Sequence, residues 1–296
     1  MPDSQRHVSM FAGKGGVGKT TCAAITALHL ASGGERTLIV STDPTPSLSD
    51  IFEVEAQDGQ RQIMDNLYME EISLDGVKER WKQRFGPEVY EVVAAYVPVE
   101  PDFVEYMAEA PGIGDEFMLD YIRELVEDHR YQRVVWDTAP GGNTLRLLRL
   151  PAQFIEHMNA AVRVYSRLKR TRDGGRSLLA TIGEWKELSQ RCADFLAHDT
   201  EFTLVTIPEA LSVRQMERIH RELDGHGFAI GQVIVNNVVR DSDSEFLKSR
   251  IAMQKGYVEE VAARYGQRMR ISELPLLPSE VKGVESLRLL ERELFP

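Results

Sequence analysis

The sequence predicts an α/β protein with a doubly wound, mostly parallel sheet of about seven or eight strands that is flanked by helices. Three observations support this prediction. Short apolar runs rich in β-branched residues recur along the 296 residues, stretches with helical patterning separate them, and a glycine-rich loop follows the first run. Strands that alternate with helices form a parallel sheet covered on both faces.

Seven runs are predicted as strands, and the first helix follows the glycine-rich loop. This helix covers residues 19 to about 32 and ends at Gly33 and Gly34, a common helix stop signal. The predicted strands are residues 7–12, 36–42, 67–72, 132–137, 202–207, 232–237 and 268–271.

Two long stretches interrupt the alternation of strands and helices. Residues 73–129 and 151–200 lack a strand pattern and are mostly helical in character. We expect them to be two insertions that together form a helical subdomain. Residues 1–72, 130–150 and 201–296 would then form the α/β core.

Composition and charge narrow the class of protein. The chain is 43% hydrophobic and 27% charged, which is ordinary for a globular protein. No apolar run approaches the ~18–20 residues that cross a bilayer, and residues 1–7 resemble neither a signal nor a transit peptide, so we expect a cytoplasmic protein. A net charge of -11 argues against nucleic acid as a partner, since that would need a basic surface. The two cysteines, Cys22 and Cys192, are too few for a disulfide framework or a four-thiolate metal site.

The glycine-rich loop carries the most specific chemical signal. Gly13, Gly18, Lys19 and Thr20 fit the pattern G-x-x-x-x-G-K-[ST], in which backbone N–H groups and a helix N-terminus surround phosphates. Lys19 would contact the β- and γ-phosphates, and the Thr20 hydroxyl would bind Mg²⁺. The loop residues predicted to bind the nucleotide are Gly13, Lys14, Gly15, Gly16, Val17, Gly18, Lys19, Thr20 and Thr21. The sequence therefore predicts an ATPase that uses ATP and Mg²⁺.

Two carboxylates stand at the carboxyl ends of predicted strands. Asp43 follows the strand at residues 36–42, and Asp137 ends the strand at residues 132–137. Ligands bind at this edge of a doubly wound sheet, so both side chains should lie near the phosphates. One carboxylate can hold the Mg²⁺ shell while the other orients the attacking water. With Thr20, they form the predicted metal-binding set.

Several motifs in order resemble the family that contains the arsenite-pump ATPase ArsA and the tail-anchored-protein targeting ATPases. The loop with its additional lysine, Lys14, is similar to the "deviant Walker A" loop of dimeric ATPases. Residues 41–50 resemble the family's switch I, residues 137–148 its switch II, and residues 274–285 its adenine-side loop. The resemblance extends from residue 8 to about residue 294.

This resemblance implies roles for individual residues. Asp43 would orient the attacking water, and Asp137 would be the switch II carboxylate near Mg²⁺. Asn236 would bond the adenine edge, with Pro275 and Leu276 packing beside it.

The resemblance also implies a homodimer. Lys14 would reach the nucleotide of the partner subunit and stabilise charge during phosphoryl transfer, as an arginine finger does elsewhere. The implied catalytic residues are thus Asp43, Lys14 and Lys19.

Both switch segments depart from the family pattern. Thr45 and Pro46 stand where the family usually has Ala-His, and Gly141-Gly142-Asn143 stands where it has Thr-Gly-His. Proline stiffens the first segment and paired glycines loosen the second, which puts the coupling of hydrolysis to a partner in question.

Two hypotheses remain for the process that ATP hydrolysis drives. The first is a homodimeric targeting factor for hydrophobic, tail-anchored membrane-protein segments, with a membrane receptor as a further partner and membrane contact through that partner. Aromatic and methionine side chains between residues 89 and 122 could form the client surface or simply the core of the helical subdomain. The alternative is a soluble ATPase subunit that drives an arsenite or other anion efflux pump. Arsenite would require about three thiolates, more than the two cysteines supply.

Overall fold

The computed structural model describes residues 6–43, 45, 47–94, 100, 102–108, 113–139, 142–168 and 177–296. Within these residues the strands are β1 (Val8–Gly13), β2 (Thr37–Ser41), β3 (Arg61–Met64), β4 (Leu67–Glu71), β5 (Arg133–Asp137), β6 (Thr200–Thr206), β7 (Ala229–Val238) and β8 (Arg270–Pro275). The helices are α1 (Lys19–Ser32), α2 (Leu48–Phe52), α3 (Leu74–Ala94), α4 (Phe103–Ala108), α5 (Ile113–Glu127), α6 (Gly142–Leu168), α7 (Ser177–His198), α8 (Ala210–Gly225), α9 (Glu245–Tyr265) and α10 (Gly283–Leu294).

The eight strands form one sheet in the order β3-β4-β2-β5-β1-β6-β7-β8. Strand β3 pairs antiparallel with β4. Each of the other neighbouring pairs in this order is parallel. The predicted doubly wound, mostly parallel sheet of seven or eight strands is therefore confirmed. From β1 the chain builds one side of the sheet through β2, β4 and β5, then crosses to β6, β7 and β8 on the other side.

Helix α1 lies against the sheet with a face of small side chains. Ala23, Ala24 and Ala27 are fully buried and share one cluster with Phe11 of β1 and Val135 of β5. Because small side chains let a helix approach a sheet closely, α1 holds its N-terminus firmly beside the end of β1. Helix α10 completes the same cluster with Leu287, Leu290 and Leu294.

The chain divides into two compact units. The first unit comprises Met1–Ile72, Asp128–Leu145 and Ala197–Pro296 and contains the whole sheet. The second unit comprises Ser73–Glu127 and Arg146–Leu196 and is helical.

The second unit has its own aromatic core. The ring of Phe117 lies 5.9 Å from Trp81 and 4.9 Å from Phe85, measured between ring centroids. A buried ion pair joins Asp120 and Arg123, with 2.6 Å between the carboxylate oxygen and the guanidinium nitrogen. Among the described residues, no helix combines the length and apolar composition needed to cross a membrane.

Two short elements of the first unit were not predicted. Strand β3 has four residues, all at least partly exposed, so it lacks the apolar pattern by which the other strands were recognised. Helix α2 has five residues, too few to show a helical period. Both elements exist because neighbouring structure holds them, a cause that local sequence patterns do not record.

Candidate nucleotide-binding site

The phosphate-binding loop leaves the sheet at its topological switch point. Gly13 ends β1 directly beside Val205 of β6, and a Cβ atom at Gly13 would collide with the Val205 carbonyl oxygen. The loop therefore needs glycine at its first position. This place, between strands whose connections run in opposite directions, is where doubly wound sheets bind ligands.

Two further glycines give the loop its inward turn. Gly16 has φ +78° and Gly18 has φ +88°, values that residues with a side chain rarely adopt. Gly18 is also the N-cap of α1, and a Cβ atom there would collide with the side-chain amide of Asn236. The backbone thus presents the N-terminus of α1 as an anion-binding end.

The two lysines of the loop have different surroundings. Lys19 is only 7% exposed, and its Nζ donates a long hydrogen bond of 3.4 Å to the carbonyl oxygen of Lys14. Burial lowers the pKa of Lys19, while the nearby charges of Asp137 and Asp43 act in the opposite direction. Lys14 is half-buried, and the adjacent Gly15 and Gly16 are exposed. Lys19 is therefore the more buried of the two lysines, and Lys14 precedes the exposed part of the loop.

Asp137 ends β5 and faces the start of α1. The Thr20 hydroxyl donates a 2.7 Å hydrogen bond to Asp137 Oδ2. Burial raises the pKa of Asp137 to about 6, although the Thr20 hydrogen bond and the charge of Lys19 oppose this rise. The Ser41 hydroxyl also lowers this pKa, but it does not reach hydrogen-bond geometry, so buried Oδ1 has no partner among the described residues.

Thr20 and Asp137 fit the donor set that Mg²⁺ uses beside a bound nucleotide. An unpartnered buried carboxylate oxygen next to a hydroxyl is a pair of hard oxygen ligands. The described residues include no group of three or more His, Cys, Asp or Glu side chains that could hold a metal by themselves. Mg²⁺ usually takes one or two protein ligands and completes its shell with water and phosphate oxygens, so Thr20 and Asp137 could supply the protein part of such a shell.

Asp43 lies just beyond the end of β2, close enough to Asp137 for their charges to interact. Its carboxylate accepts a 3.0 Å hydrogen bond from the Thr45 backbone, and its own N–H donates to the Ser41 hydroxyl at 3.3 Å. Its charge acts on both Lys19 and Asp137. The structure thus places Lys19, Asp43 and Asp137, three of the four charged groups that the sequence proposed for catalysis and metal binding, close together within one subunit. Pro46, which departs from the family pattern, lies outside the described residues.

A cavity of about 500 Å³ adjoins the loop on the β7–β8 side. Predicted site residues in its wall are Gly16, Gly18, Thr20, Thr21, Asn236, Pro275 and Leu276. The other predicted site residues do not line it: Gly13, Lys14, Gly15, Val17, Lys19, Asp43 and Asp137. The predicted loop and the predicted adenine-side residues therefore meet around one space large enough for a ligand of nucleotide size.

Asn236 has a contact that the sequence did not suggest. Its side-chain Nδ2 donates a 2.9 Å hydrogen bond to the carbonyl oxygen of Val17, inside the loop. The next residue, Asn237, adopts a left-handed conformation with φ +59°. β7 therefore supports the phosphate-binding loop from the side of the cavity.

Comparisons with known proteins decide the family. The family described as anion-transporting ATPase, ArsA type, matches residues 6–295. This chain belongs to the ArsA ATPase family. The resemblance found in the motifs is thereby confirmed, and the chain is an ATPase.

Several relatives match this ArsA-family ATPase over most of both chains. The putative arsenical pump-driving ATPase 2 of Aquifex aeolicus is 30% identical over 295 residues, which cover 95% of this chain and 97% of that protein. ATPase GET3A of Arabidopsis thaliana is 32% identical, with coverage of 93% and 80%. The ATPase ASNA1 homolog of Dictyostelium discoideum is 30% identical, with coverage of 96% and 88%.

The switch II segment of this ArsA-family ATPase is held by hydroxyl groups that sequence reasoning missed. Thr138 Oγ1 donates to the carbonyl oxygen of Phe11 at 2.7 Å and lies 2.8 Å from Thr144 Oγ1. Thr144 in turn donates to the Ala139 carbonyl oxygen at 2.8 Å. These bonds tie the start of α6 to β1. Gly141 and the side chain of Asn143 lie outside the described residues.

A second missed residue, Gln254, supports the β7 side of the cavity. Gln254 is buried on α9 and accepts a 2.8 Å hydrogen bond from the Val239 backbone through Oε1. Its Nε2 donates to the Asn237 carbonyl oxygen at 3.1 Å. It thus holds the backbone on both sides of Val238, at the end of β7 where the pairing with β8 is irregular. A glutamine in a helix gives no local signal of such a role.

Proposed function

We propose that this ATPase acts as a homodimer in which Lys14 completes the nucleotide site of the partner subunit. The observation behind this proposal is the contrast between the two loop lysines: Lys19 is buried beside Asp43 and Asp137, whereas Lys14 is only half-buried and directly precedes the exposed Gly15 and Gly16. A second cation is thus available to a nucleotide held by another subunit. In the transition state it would offset charge that develops on the phosphoryl group.

Within one subunit, each residue has a distinct task. The backbone N–H groups of the loop hold the phosphates, and buried Lys19 neutralises their β- and γ-oxygens. Asp43 accepts a hydrogen bond from the attacking water and so orients it toward the γ-phosphate. Thr20 and Asp137 would hold Mg²⁺, which neutralises phosphate charge when bound.

For the cellular task we propose targeting of hydrophobic, tail-anchored membrane-protein segments. Support comes from relatives named ATPase GET3A and ATPase ASNA1 homolog, which match this chain over most of its length. The candidate client surface contributes less support. Phe117, Met118 and Ile122 are buried within the second unit. The side chains of residues 89, 92, 93, 96, 103, 106, 107 and 113 lie outside the described residues.

The second candidate is the ATPase subunit of an arsenite or anion pump. It is supported by the family description and by relatives named putative arsenical pump-driving ATPase. Against it, Cys22 and Cys192 are both fully buried and belong to different units. A thiol-based arsenite site would need accessible thiolates near one another.

The dimeric mechanism can be tested by mixing two impaired variants. Lys14→Ala should lower turnover strongly, because it removes the cation that stabilises the partner's transition state. Asp43→Asn should do the same by removing the residue that orients water. In a heterodimer of the two, one site keeps both groups and the other site keeps neither. A fully exchanged equimolar mixture should therefore recover about one quarter of wild-type ATP turnover, since about half of its dimers are mixed and each has one intact site.

The controls separate this explanation from others. Each variant mixed with itself should remain impaired, and exchange can be verified by pulling down one tagged variant with the other. If the exchanged mixture stays as slow as the separate variants, Lys14 acts within its own subunit or not at all. A chain that remains monomeric with ATP and Mg²⁺ in light scattering would also contradict the proposal.

A further inference from the structure

Glu71, at the carboxyl end of β4, holds the start of α2. Its Oε1 accepts hydrogen bonds from the backbone N–H groups of Ser47 at 2.8 Å, Leu48 at 2.8 Å and Ser49 at 3.2 Å. Its Oε2 accepts a further bond from the Ser49 hydroxyl at 2.8 Å. One carboxylate thus satisfies three of the four free N–H groups at the start of this helix.

Helix α2 depends on this carboxylate more than an ordinary helix depends on its cap. The N-cap residue, Ser47, makes no side-chain capping bond, and its hydroxyl is buried without a partner among the described residues. A helix of five residues cannot persist on its own, because its nucleation cost exceeds what so few backbone bonds return. Hydrogen bonds to a charged acceptor are roughly twice as strong as neutral ones.

The same end of β4 also holds the other side of the switch I segment. Ser41 of β2 lies directly beside Glu71 in the sheet, and the backbone N–H of Ile72 donates to the Ser41 carbonyl oxygen at 2.9 Å. The chain between Ser41 and α2 is therefore fixed at both ends by two consecutive residues. Asp43 lies within this short span, two residues beyond Ser41.

We infer that Glu71 is a positioning residue for hydrolysis that acts through Asp43. By fixing Ser47 at the start of α2, four positions beyond Asp43, it limits where the Asp43 carboxylate can lie, and hence where the water that Asp43 orients can lie. The inference rests on the proposed role of Asp43. Nothing in the switch motifs points to Glu71, which belongs to a different strand and lies 28 positions further along the chain.

The inference predicts a separation between turnover and nucleotide binding. Glu71→Ala should reduce kcat by about 10- to 100-fold, because a displacement of about 1 Å at a reacting group has effects of that size. The affinity for ADP with Mg²⁺ should change little, since the loop and the cavity hold the nucleotide. Glu55→Ala is the matched control: it removes an exposed glutamate of the same unit and should leave kcat unchanged. Glu71→Gln, which keeps an oxygen acceptor, should lie between wild type and Glu71→Ala and provides the test if the alanine variant does not fold.

A double-mutant cycle decides whether Glu71 acts through Asp43. If it does, adding Glu71→Ala to Asp43→Asn should slow turnover by less than about twofold beyond Asp43→Asn alone, because the positioned group is already gone. If the two effects multiply, Glu71 acts independently and the inference is overturned, while the role of Asp43 stands. If Asp43→Asn alone turns over at the wild-type rate, the proposed role of Asp43 fails and this inference fails with it.

Discussion

Asp137 is a buried carboxylate whose ionised form lowers the stability of the native state. Its side chain is fully buried, one oxygen accepts the Thr20 hydroxyl and the other lacks a partner among the described residues. Desolvation therefore disfavours the ionised form, and the pKa rises from 3.8 to about 6. Without a cation in place, the ionised carboxylate destabilises the native state.

The sign of the pH effect follows from this rise. Between the two pKa values the native state binds more protons than the unfolded state, so the Asp137 contribution to stability falls as pH rises through about 6. When the pH is raised from about 5 to about 7.5, we expect the stability of Asp137→Asn relative to the nucleotide-free wild type to increase by about 1.4 kcal/mol. Denaturant unfolding of both proteins without Mg²⁺ at the two pH values measures this difference. Asp58→Asn, which removes an exposed carboxylate of the same unit, controls for the change in charge. A gap between wild type and Asp137→Asn that does not change with pH would contradict the assignment.

At the scale of elements, the loop between β1 and α1 combines a special backbone with a crowded neighbour. Gly18 has φ +88° and Asn236 beside it, whereas Gly34, just after α1, has φ +91° and open space around it. An alanine at either position adopts a strained backbone. Only at Gly18 does it also displace the support that β7 gives to the loop.

This pair provides a matched comparison. Gly34→Ala should lose about 1–2 kcal/mol of stability from backbone strain and keep wild-type turnover per folded molecule. Gly18→Ala should lose at least as much stability, and its turnover should fall by about 100-fold, since the loop and Asn236 must both move. Thermal unfolding and ATP hydrolysis measured on the same preparations separate the two effects. Equal turnover of the two variants would show that the contact between Gly18 and Asn236 does not matter for catalysis.

Elements with a strong local pattern were predictable from the sequence, and elements held by distant residues were not. β2 and β5 are continuous buried runs, β1 is buried except at Ser9, and α1 follows a loop whose pattern fixes its first residue. β3 and α2 depend on β4, through an antiparallel pairing and through Glu71. The same distinction holds in the site: the glycine loop and the carboxylates at strand ends have sequence signals, whereas Gln254, Thr138 and Thr144 act through tertiary contacts. Such contacts follow from the packing of strands far apart in the chain.

At the scale of the whole molecule, the positions of the two cysteines help to decide whether ATP hydrolysis drives an arsenite pump or the targeting of hydrophobic segments. Cys22 lies on α1 in the first unit and Cys192 on α7 in the second, and both are fully buried. Burial raises the pKa of the Cys22 thiol, so it stays protonated at neutral pH. Trivalent arsenic binds thiolates, and neither cysteine offers one to solvent.

The pump and targeting proposals therefore predict opposite results in one paired experiment. We expect arsenite to leave ATP turnover unchanged, because no accessible thiolate is available among the cysteines to bind it. We expect the same protein, co-expressed with a tagged single hydrophobic C-terminal segment, to co-purify with that segment. A segment with two central charged residues is the control, since charges in an apolar segment oppose burial against a hydrophobic surface.

A cysteine-free variant makes the arsenite arm decisive. Cys22→Ala with Cys192→Ala replaces two buried side chains that behave as small hydrophobes, so the variant should fold and hydrolyse ATP. Stimulation of the wild type by arsenite that disappears in this variant would establish a thiol-based site and favour the pump. Stimulation that persists in the variant would point to anion recognition without thiols, which also favours the pump. If arsenite stimulates neither protein and the uncharged segment is captured selectively, the result supports targeting. The protein then binds an apolar segment and does not respond to a ligand of thiols.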